Sequence, residues 1–192
     1  MNNEELIITE DKKFGYAGEI WNCARVLSEF MCSNKIRKMF KDKTVLEIGS
    51  GTGYCGLTAA LLGTTTVYLT DREENLEIIE KNYNNNKERL SSVIITPLNW
   101  NNIVDYKNIK ENIDIIIASD IIYHGVNSTN IIKTFDYFSN MTTDIILAYN
   151  IRLDVDFFEI LSESNKWSIK KFPDDLYASD NGVVLFYIKK IS

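Results

Sequence analysis

Short apolar segments alternate with amphipathic segments along most of this chain. Runs rich in valine and isoleucine predict strands, and apolar residues repeated every three or four positions predict helices. The strand candidates are residues 44–48, 66–70, 92–96, 113–118, 144–149, 167–172 and 182–188. The helix candidates are residues 19–32, 34–40, 54–62, 73–83, 130–138 and 154–164.

This alternation predicts βαβ units and therefore a parallel sheet. Residues 113–118 are almost continuously apolar, which is typical of a strand covered on both faces. The last two strand candidates are joined by a polar connection, residues 173–181, and are expected to pair as an antiparallel hairpin. We therefore predict an α/β, Rossmann-like fold with a seven-stranded, mostly parallel sheet, helices on both faces and a C-terminal antiparallel hairpin. It forms one domain over residues 1–192, with a helical segment at 1–42 and the core at 43–192.

Composition and charge narrow the classes of protein to consider. The net charge is −6, whereas a nucleic-acid binder usually carries a basic face. No apolar run approaches the roughly 18 residues of a membrane helix, and the acidic start Met1–Glu5 does not resemble a signal peptide. We expect a cytoplasmic monomer that binds neither nucleic acid nor membrane.

The three cysteines, Cys23, Cys32 and Cys55, lack the paired spacing of a zinc site and are odd in number. Two of them fall in an apolar helical pattern, where cysteine acts as a small hydrophobic residue. We expect neither a metal nor a disulfide framework.

The segment with the clearest chemistry is glycine-rich and follows the first strand candidate. Residues 49–56 read Gly-Ser-Gly-Thr-Gly-Tyr-Cys-Gly, and glycine lets a backbone turn sharply and approach a ligand closely. Two patterns overlap in it. From Gly51 it spells the dinucleotide fingerprint G-x-G-x-x-G, and from Glu47 it spells the acidic-x-G-x-G-x-G form of S-adenosylmethionine sites. Asp71, at the end of the next strand candidate, suits either cofactor because a carboxylate accepts hydrogen bonds from ribose hydroxyls.

The position of the turn favours S-adenosylmethionine. Apolar strand character ends at Ile48, so Gly49 is the first glycine and the pattern becomes G-x-G-x-G. A carboxylate at Glu47 would also repel a pyrophosphate, whereas it is compatible with a sulfonium and an ammonium group. An NAD-dependent oxidoreductase remains the alternative from another class.

Four further segments extend this pattern. They are Gly-Glu-Ile-Trp-Asn-Cys-Ala at 18–24, Leu-Asn-Trp at 98–100, Ser-Asp-Ile-Ile-Tyr at 119–123, and Tyr-Asn-Ile-Arg at 149–152 followed by Phe-Phe-Glu at 157–159. With the glycine turn they resemble methyltransferase family 16, the seven-strand protein-lysine methyltransferases with the class I methyltransferase fold. The resemblance covers nearly the whole chain.

The resemblance implies S-adenosyl-L-methionine as cofactor, S-adenosyl-L-homocysteine as product, and a lysine of a protein substrate as acceptor. It implies these cofactor-binding residues: Trp21, Glu47, Gly49, Gly51, Gly53, Asp71, Asn99, Trp100 and Ser119. It implies Asp120 and Tyr123 as catalytic residues, with Tyr123 facing the amine and Asp120 orienting Tyr123 or holding the departing proton. Asn99 stands where the family usually has aspartate, and its amide oxygen can still accept a hydrogen bond from the adenine amino group.

Two other methyltransferase classes share this fold. Enzymes that methylate amino groups of nucleic acids commonly carry an Asn/Asp-Pro-Pro-aromatic loop after the fourth strand to hold a flipped base. Residues 120–123 contain no proline, which argues against this class. A small-molecule N-methyltransferase stays open, because its glycine turn and fold would look the same.

Overall fold

The computed structural model of the protein describes residues 6–152, 156–177 and 182–192. The strands found there are β1 (Thr44–Ile48), β2 (Thr66–Asp71), β3 (Ser92–Pro97), β4 (Ile115–Ser119), β5 (Asp144–Asn150), β6 (Trp167–Lys171) and β7 (Val183–Lys190). The α-helices are α1 (Asn22–Cys32), α2 (Tyr54–Ala60), α3 (Leu76–Asn84), α4 (Ser128–Phe138) and α5 (Phe157–Glu163). Short 3-10 turns cover Lys12–Gly18, Arg37–Phe40, Glu73–Asn75, Lys87–Arg89, Asp105–Asn108 and Asp174–Leu176.

The strands form one sheet in the order β3-β2-β1-β4-β5-β7-β6. Strands β1 to β5 pair in parallel, whereas β7 runs antiparallel to both β5 and β6. The predicted α/β fold with a C-terminal antiparallel hairpin is confirmed. The hairpin inserts β7 beside β5 and leaves β6 at the edge of the sheet.

Side chains from the two faces of the sheet enter two separate apolar clusters. On β1, Val45 packs with α1, α2 and α3, whereas Leu46 and Ile48 pack with α4 and α5 on the other face. On β4, Ile115 belongs to the cluster of Val45, and Ile116 belongs to the cluster of Leu46 and Ile48. This is the double covering that the unbroken apolar run predicts.

Several predicted boundaries are wrong because local caps override apolar periodicity. Helix α1 begins at Asn22 rather than residue 19, since Trp21 is its extended N-cap. The predicted helix at 34–40 is only a set of turns ending in the 3-10 turn Arg37–Phe40. Helix α4 begins earlier than expected, at Ser128, because the Asn127 side chain accepts a hydrogen bond from the Asn130 N–H.

Other elements are shorter than predicted. Helix α2 ends at Ala60, and Gly63 completes the turn that follows with a φ of 81°. The start of the helix predicted at 73–83 is the 3-10 turn Glu73–Asn75. Strand β4 begins at Ile115, two residues later than expected. The first residues of the helix predicted at 154–164, the last residues of the polar connection at 173–181, and Met1–Glu5 lie outside the described residues.

Residues 6–20 form a segment outside the sheet, here called the N-terminal strap, that sequence patterns do not predict. Two asparagines of α3 and the turn after it hold its first part. The Asn86 amide exchanges two hydrogen bonds with the backbone of Ile7, both of 2.9 Å. The Asn82 amide does the same with Thr9, at 2.7 and 3.0 Å, and also donates to the Thr52 carbonyl at 2.9 Å. The strap is therefore tied both to α3 and to the glycine turn.

The second part of the strap folds back on itself. The Asp11 N–H donates to the Gly18 carbonyl at 2.9 Å, and Glu10 Oε1 accepts from the Ile20 N–H at 2.7 Å. A Cβ at Gly18 would lie 1.9 Å from the Asp11 carbonyl oxygen, so this closure requires glycine. The closure places the aromatic residues of Lys12–Gly18 beside the carboxyl ends of the central strands.

Candidate functional site

A cavity of about 270 Å³ lies at the carboxyl ends of β1, β2 and β4, beneath the N-terminal strap. Of the predicted site residues, it is lined by Trp21, Gly49, Gly51, Asp71, Trp100, Ser119, Asp120 and Tyr123. Residues that the sequence analysis did not select also line it, including Phe14, Tyr16, Glu19, Thr52, Arg72 and Asn75. Ligands of doubly wound α/β sheets bind at this edge of the sheet.

The glycine turn brings main chain to the floor of this cavity. Gly49 has a φ of 69°, and a Cβ there would lie 2.7 Å from Ile121 Cγ2 and 3.4 Å from the Trp100 ring. Ser50 fixes the turn to β2, because its N–H donates to the Thr70 carbonyl and its Oγ accepts from the Thr70 N–H at 2.8 and 2.9 Å. The absence of a side chain at Gly49 therefore lets Ile121 and Trp100 pack directly against the main chain of the turn.

The carboxylate of Asp71 is held at the edge of the cavity by three donors. Its Oδ2 accepts from the Gly51 N–H at 2.8 Å, and its Oδ1 accepts from the Arg72 N–H at 2.8 Å and from Asn75 Nδ2 at 2.6 Å. These bonds fix the carboxylate beside the glycine turn, which is the position predicted for a group that binds ribose hydroxyls.

Glu47 lies beneath the turn rather than on the cavity wall. Its side chain is 1% exposed, and Oε2 accepts from the Gly56 N–H at 3.0 Å. Burial raises the pKa of Glu47 to about 8, so the protonated form predominates at neutral pH. A protonated Glu47 carries no charge to repel a pyrophosphate, so the distinction between the two motifs rests on the end of β1 at Ile48.

Two further predicted cofactor residues also lie off the cavity wall. Gly53 is the N-cap of α2, with Ile79, Leu69 and Leu57 around its Cα. The side-chain oxygen of Asn99, expected to face an adenine amino group, instead accepts from the Asn101 N–H at 2.9 Å. Both residues shape the loops that carry the wall residues.

The loop after β4 carries a strained residue fixed by an ion pair. Asp120 has a φ of 56°, which is uncommon for a residue with a side chain. Its carboxylate, 9% exposed, accepts from Arg152 Nη1 at 2.6 Å, and the same Nη1 donates to the Ile122 carbonyl at 3.1 Å. The hydrogen bond to Asp120 raises the pKa of Arg152 above its usual value. Arg152 thus holds both the side chain and the main chain of this loop.

Sequence reasoning did not select Arg152 as a site residue, although the segment at 149–152 was noted for its resemblance. Cys23 of α1 is buried against the same carboxylate, and burial together with Asp120 raises the pKa of this thiol. Asp120 therefore faces a guanidinium on one side and an un-ionised thiol on the other.

Three aromatic rings stand at the mouth of the cavity. The centroid of the Tyr16 ring lies 5.8 Å from that of Trp21 and 6.3 Å from that of Tyr123, with interplanar angles of 52° and 53°. Trp21 Nε1 donates to the main-chain carbonyl of Tyr16 at 2.8 Å. The aromatic and glycine residues at 14–18 were the available signal for the strap, but they form no helical or strand period.

Two other kinds of feature are absent from residues 6–152, 156–177 and 182–192. No helix there is long and apolar enough to cross a membrane. No group of three or more histidine, cysteine, aspartate or glutamate side chains in the same ranges could hold a metal ion.

The sheet order and the cavity at its carboxyl edge define the Rossmann-like methyltransferase class of fold. The structure is similar to that of precorrin-6y C5,15-methyltransferase from Geobacter metallireducens GS-15, with a TM-score of 0.61. That similarity covers 96% of this chain and 94% of the other at 16% sequence identity, so it concerns the fold alone.

The chain belongs to the lysine methyltransferase family, whose sequence model matches residues 1–164. It is 33% identical to protein N-lysine methyltransferase METTL21A of Xenopus tropicalis, over 83% of this chain and 74% of that protein. It is 31% identical to EEF1A lysine methyltransferase 3 of the same organism, over 77% of this chain and 65% of that protein. The resemblance noted in the sequence is thereby confirmed.

Proposed function

We propose that this protein transfers a methyl group from S-adenosylmethionine to the side-chain amine of a lysine in a protein substrate. The observation that carries the proposal is the pairing of two walls across one cavity in a member of the lysine methyltransferase family. One wall is the glycine turn with Asp71, and the other is the loop of Asp120 and Tyr123.

The cavity suits the proposed cofactor. Trp100 and Ile121, which pack against Gly49 and line the cavity, offer an apolar wall to a flat, weakly polar ring, and the fixed carboxylate of Asp71 suits a pair of hydroxyls. Trp21 and Ser119 complete the wall, while Glu47, Gly53 and Asn99 act from behind it by holding α2 and the loop after β3.

When bound, the cofactor would supply a methyl group on a sulfonium, and its sulfur would leave as the neutral thioether of S-adenosylhomocysteine when the amine attacks the methyl carbon in line. The protein's own residues must then position a neutral amine, because a lysine ammonium, with an ordinary pKa of about 10.4, has no lone pair to attack with. Tyr123 lies at the mouth, where its ring contacts the incoming side chain and its hydroxyl accepts from the amine. Asp120, oriented by Arg152, fixes the loop that carries Tyr123.

The experiment that tests this function is methyl transfer onto protein. Purified protein is incubated with radiolabelled S-adenosylmethionine and a cell lysate, labelled bands are resolved on a gel, and mass spectrometry locates the modified residue. EEF1A is the first defined substrate to assay, given the relative named for it. We expect label on lysine of one or a few proteins. Label confined to the small-molecule fraction would contradict a protein acceptor.

Two variants assign the proposed catalytic roles. Asp120→Ala and Tyr123→Phe should each reduce turnover while leaving the affinity for S-adenosylhomocysteine, measured by calorimetry, nearly unchanged. Full turnover in both variants would disprove the assignment. Calorimetry with NADH tests the oxidoreductase alternative, for which binding of NADH and not of S-adenosylhomocysteine is required.

A further inference from the structure

The rings of Tyr16, Trp21 and Tyr123, here called the aromatic collar, come from two distant parts of the chain. Tyr16 belongs to the N-terminal strap, Trp21 precedes α1, and Tyr123 follows β4. All three line the cavity and yet remain exposed, at 75%, 38% and 38%. Large rings that are exposed around a cavity, instead of buried in the core, are available to a ligand.

The position of Tyr16 is fixed by main-chain interactions. Its carbonyl accepts from Trp21 Nε1, and the turn that carries it is closed between Asp11 and Gly18. The Tyr16 ring contributes little to the apolar core, since three quarters of its surface is exposed. The ring is therefore presented to the mouth of the cavity by the strap without a packing role of its own.

The charges around the collar favour a cation. The Asp120 carboxylate is already balanced by Arg152, so the collar faces a ligand mainly with rings. Glu19, exposed on the same cavity wall, adds a negative charge. Aromatic faces attract cations electrostatically, and they bind methylated ammonium groups well because these are weakly hydrated.

We propose that the aromatic collar binds the side chain of the target lysine and retains its methylated ammonium forms, with Tyr16 as a residue that determines this specificity. The inference rests on the proposed function and adds to it a preference of the site for methylated over unmethylated lysine. A lysine that has received one methyl group is held by the collar as a cation, so the same side chain stays at the site. It must then release a proton to solvent at the open mouth before its neutral amine can attack in a further round of transfer.

A binding experiment tests the collar without requiring activity. The protein, labelled at its indole nitrogens and saturated with S-adenosylhomocysteine, is titrated with Nα-acetyl-Nε-trimethyl-lysine amide, and the indole signal of Trp21 is followed by NMR. The signal is assigned by its loss in Trp21→Phe. The matched ligand is the neutral isostere in which carbon replaces the quaternary nitrogen. We expect the isostere to bind about tenfold more weakly.

Variants of the protein distinguish cation binding by the aromatic rings from cation binding by the negative charge of Glu19. Tyr16→Leu keeps the main-chain bond to Trp21 and should weaken binding of the cation about tenfold, whereas Tyr16→Phe should stay within about twofold. Glu19→Gln should reduce affinity less than about threefold. Tyr137→Leu removes an exposed tyrosine that does not line the cavity and should have no effect.

The proposal would be overturned if the neutral isostere bound as tightly as the trimethyl-lysine ligand. It would also be overturned if Tyr16→Leu still preferred the cation. A preference that disappears in Glu19→Gln would overturn it as well. These results leave the lysate assay untouched, so failure of the collar is distinguishable from failure of the methyltransferase activity. If the protein preferred the cation but methylated no lysine in the lysate assay, the collar would have no role in lysine recognition.

The products provide the second readout. On the labelled substrate, mass spectrometry of the wild-type reaction at limiting enzyme should show di- or trimethyl-lysine while unmodified substrate remains. Tyr16→Leu should shift the distribution toward monomethyl-lysine at the same total conversion, and Tyr16→Phe should not. An unchanged distribution in Tyr16→Leu would contradict retention by the collar.

Discussion

The two walls of the cavity are built in different ways. The glycine turn is fixed by main-chain bonds to β2, by the Asp71 carboxylate and by the buried Glu47 beneath it. The loop after β4 is anchored by the buried Ile121 and Ile122 and by the Asp120 N–H, which donates to the Ala148 carbonyl at 2.9 Å, but the Asp120 side chain itself is fixed by one ion pair with Arg152. The carboxyl groups of the first wall are thus built into the folded core, whereas the Asp120 side chain of the second wall can change without loss of the core. Stability and turnover should therefore respond separately to substitutions on the two walls.

Gly56→Ala should have the largest effect and should act on the first wall. A Cβ at Gly56 would lie 2.0 Å from Leu69 Cδ2 and 2.6 Å from Glu47 Oε2, so α2 would have to move away from the sheet. We expect the free energy of unfolding, measured in urea, to fall by about 3 kcal/mol.

The control for this substitution is Gly125→Ala. Gly125, unlike the helical Gly56, has a positive φ, of 86°, but a Cβ there meets nothing within 4 Å. Gly125→Ala should lower the free energy of unfolding only by the cost of placing a side chain on a residue of positive φ, about 1 kcal/mol. Equal losses in the two variants would mean that the contact of α2 with β2 does not support the first wall.

Asp120→Asn tests the second wall. Asparagine adopts positive φ readily and keeps the shape of the side chain, so only the charge is lost. We expect turnover to fall about 100-fold, with S-adenosylhomocysteine affinity unchanged. Because Arg152 is 30% exposed, the free energy of unfolding should fall by only about 1 kcal/mol.

Asp42→Asn is the matched control for Asp120→Asn, since Asp42 has a similar φ of 58° and lies in an exposed turn away from the cavity. It should leave turnover unchanged. If Asp120→Asn instead unfolded the protein as strongly as Gly56→Ala does, the contrast between the two walls would be wrong.

The pH dependence of stability arises at Glu47. Its pKa is raised from 4.5 to about 8 on folding, so the folded state binds more protons than the unfolded state between these values. Stability from this group is complete below pH 4.5 and is lost as the pH rises through 8. The slope within the window reaches at most about 1.4 kcal/mol per pH unit.

Glu47→Gln removes the titration and keeps an oxygen for the Gly56 N–H. Urea unfolding at several pH values across the window should therefore show a shallower slope for this variant than for the wild type. Identical slopes would mean that the first wall does not bury an un-ionised carboxyl group.

Apolar periodicity predicted the strands, and the glycine motif predicted the turn, because both are patterns of neighbouring residues. The bounds of β1 agree with the sequence, and so does the placement of Asp71 at the end of β2. The remaining features depend on contacts between distant residues. Asp120 and Arg152 are 32 residues apart, and the protonation of Glu47 follows from its burial, which no local pattern expresses.

The N-terminal strap was missed for the same reason. Its partners Asn82 and Asn86 lie more than 70 residues away in a segment rich in asparagine, where the amides that bind the strap look no different from their exposed neighbours. Tyr16, and with it the aromatic collar, could be located only after the path of the strap was known.

The attachment of the strap by side-chain amides also bears on aggregation. Each asparagine satisfies one residue's N–H and carbonyl together, as a neighbouring strand would, while Leu6 and Ile8 pack against the core. A true added strand would leave its outer row of backbone groups free to pair with another chain. Among the described residues, the strap instead makes strand-like hydrogen bonds only at Ile7 and Thr9. It therefore covers the cavity without adding an edge strand that a second molecule could pair with.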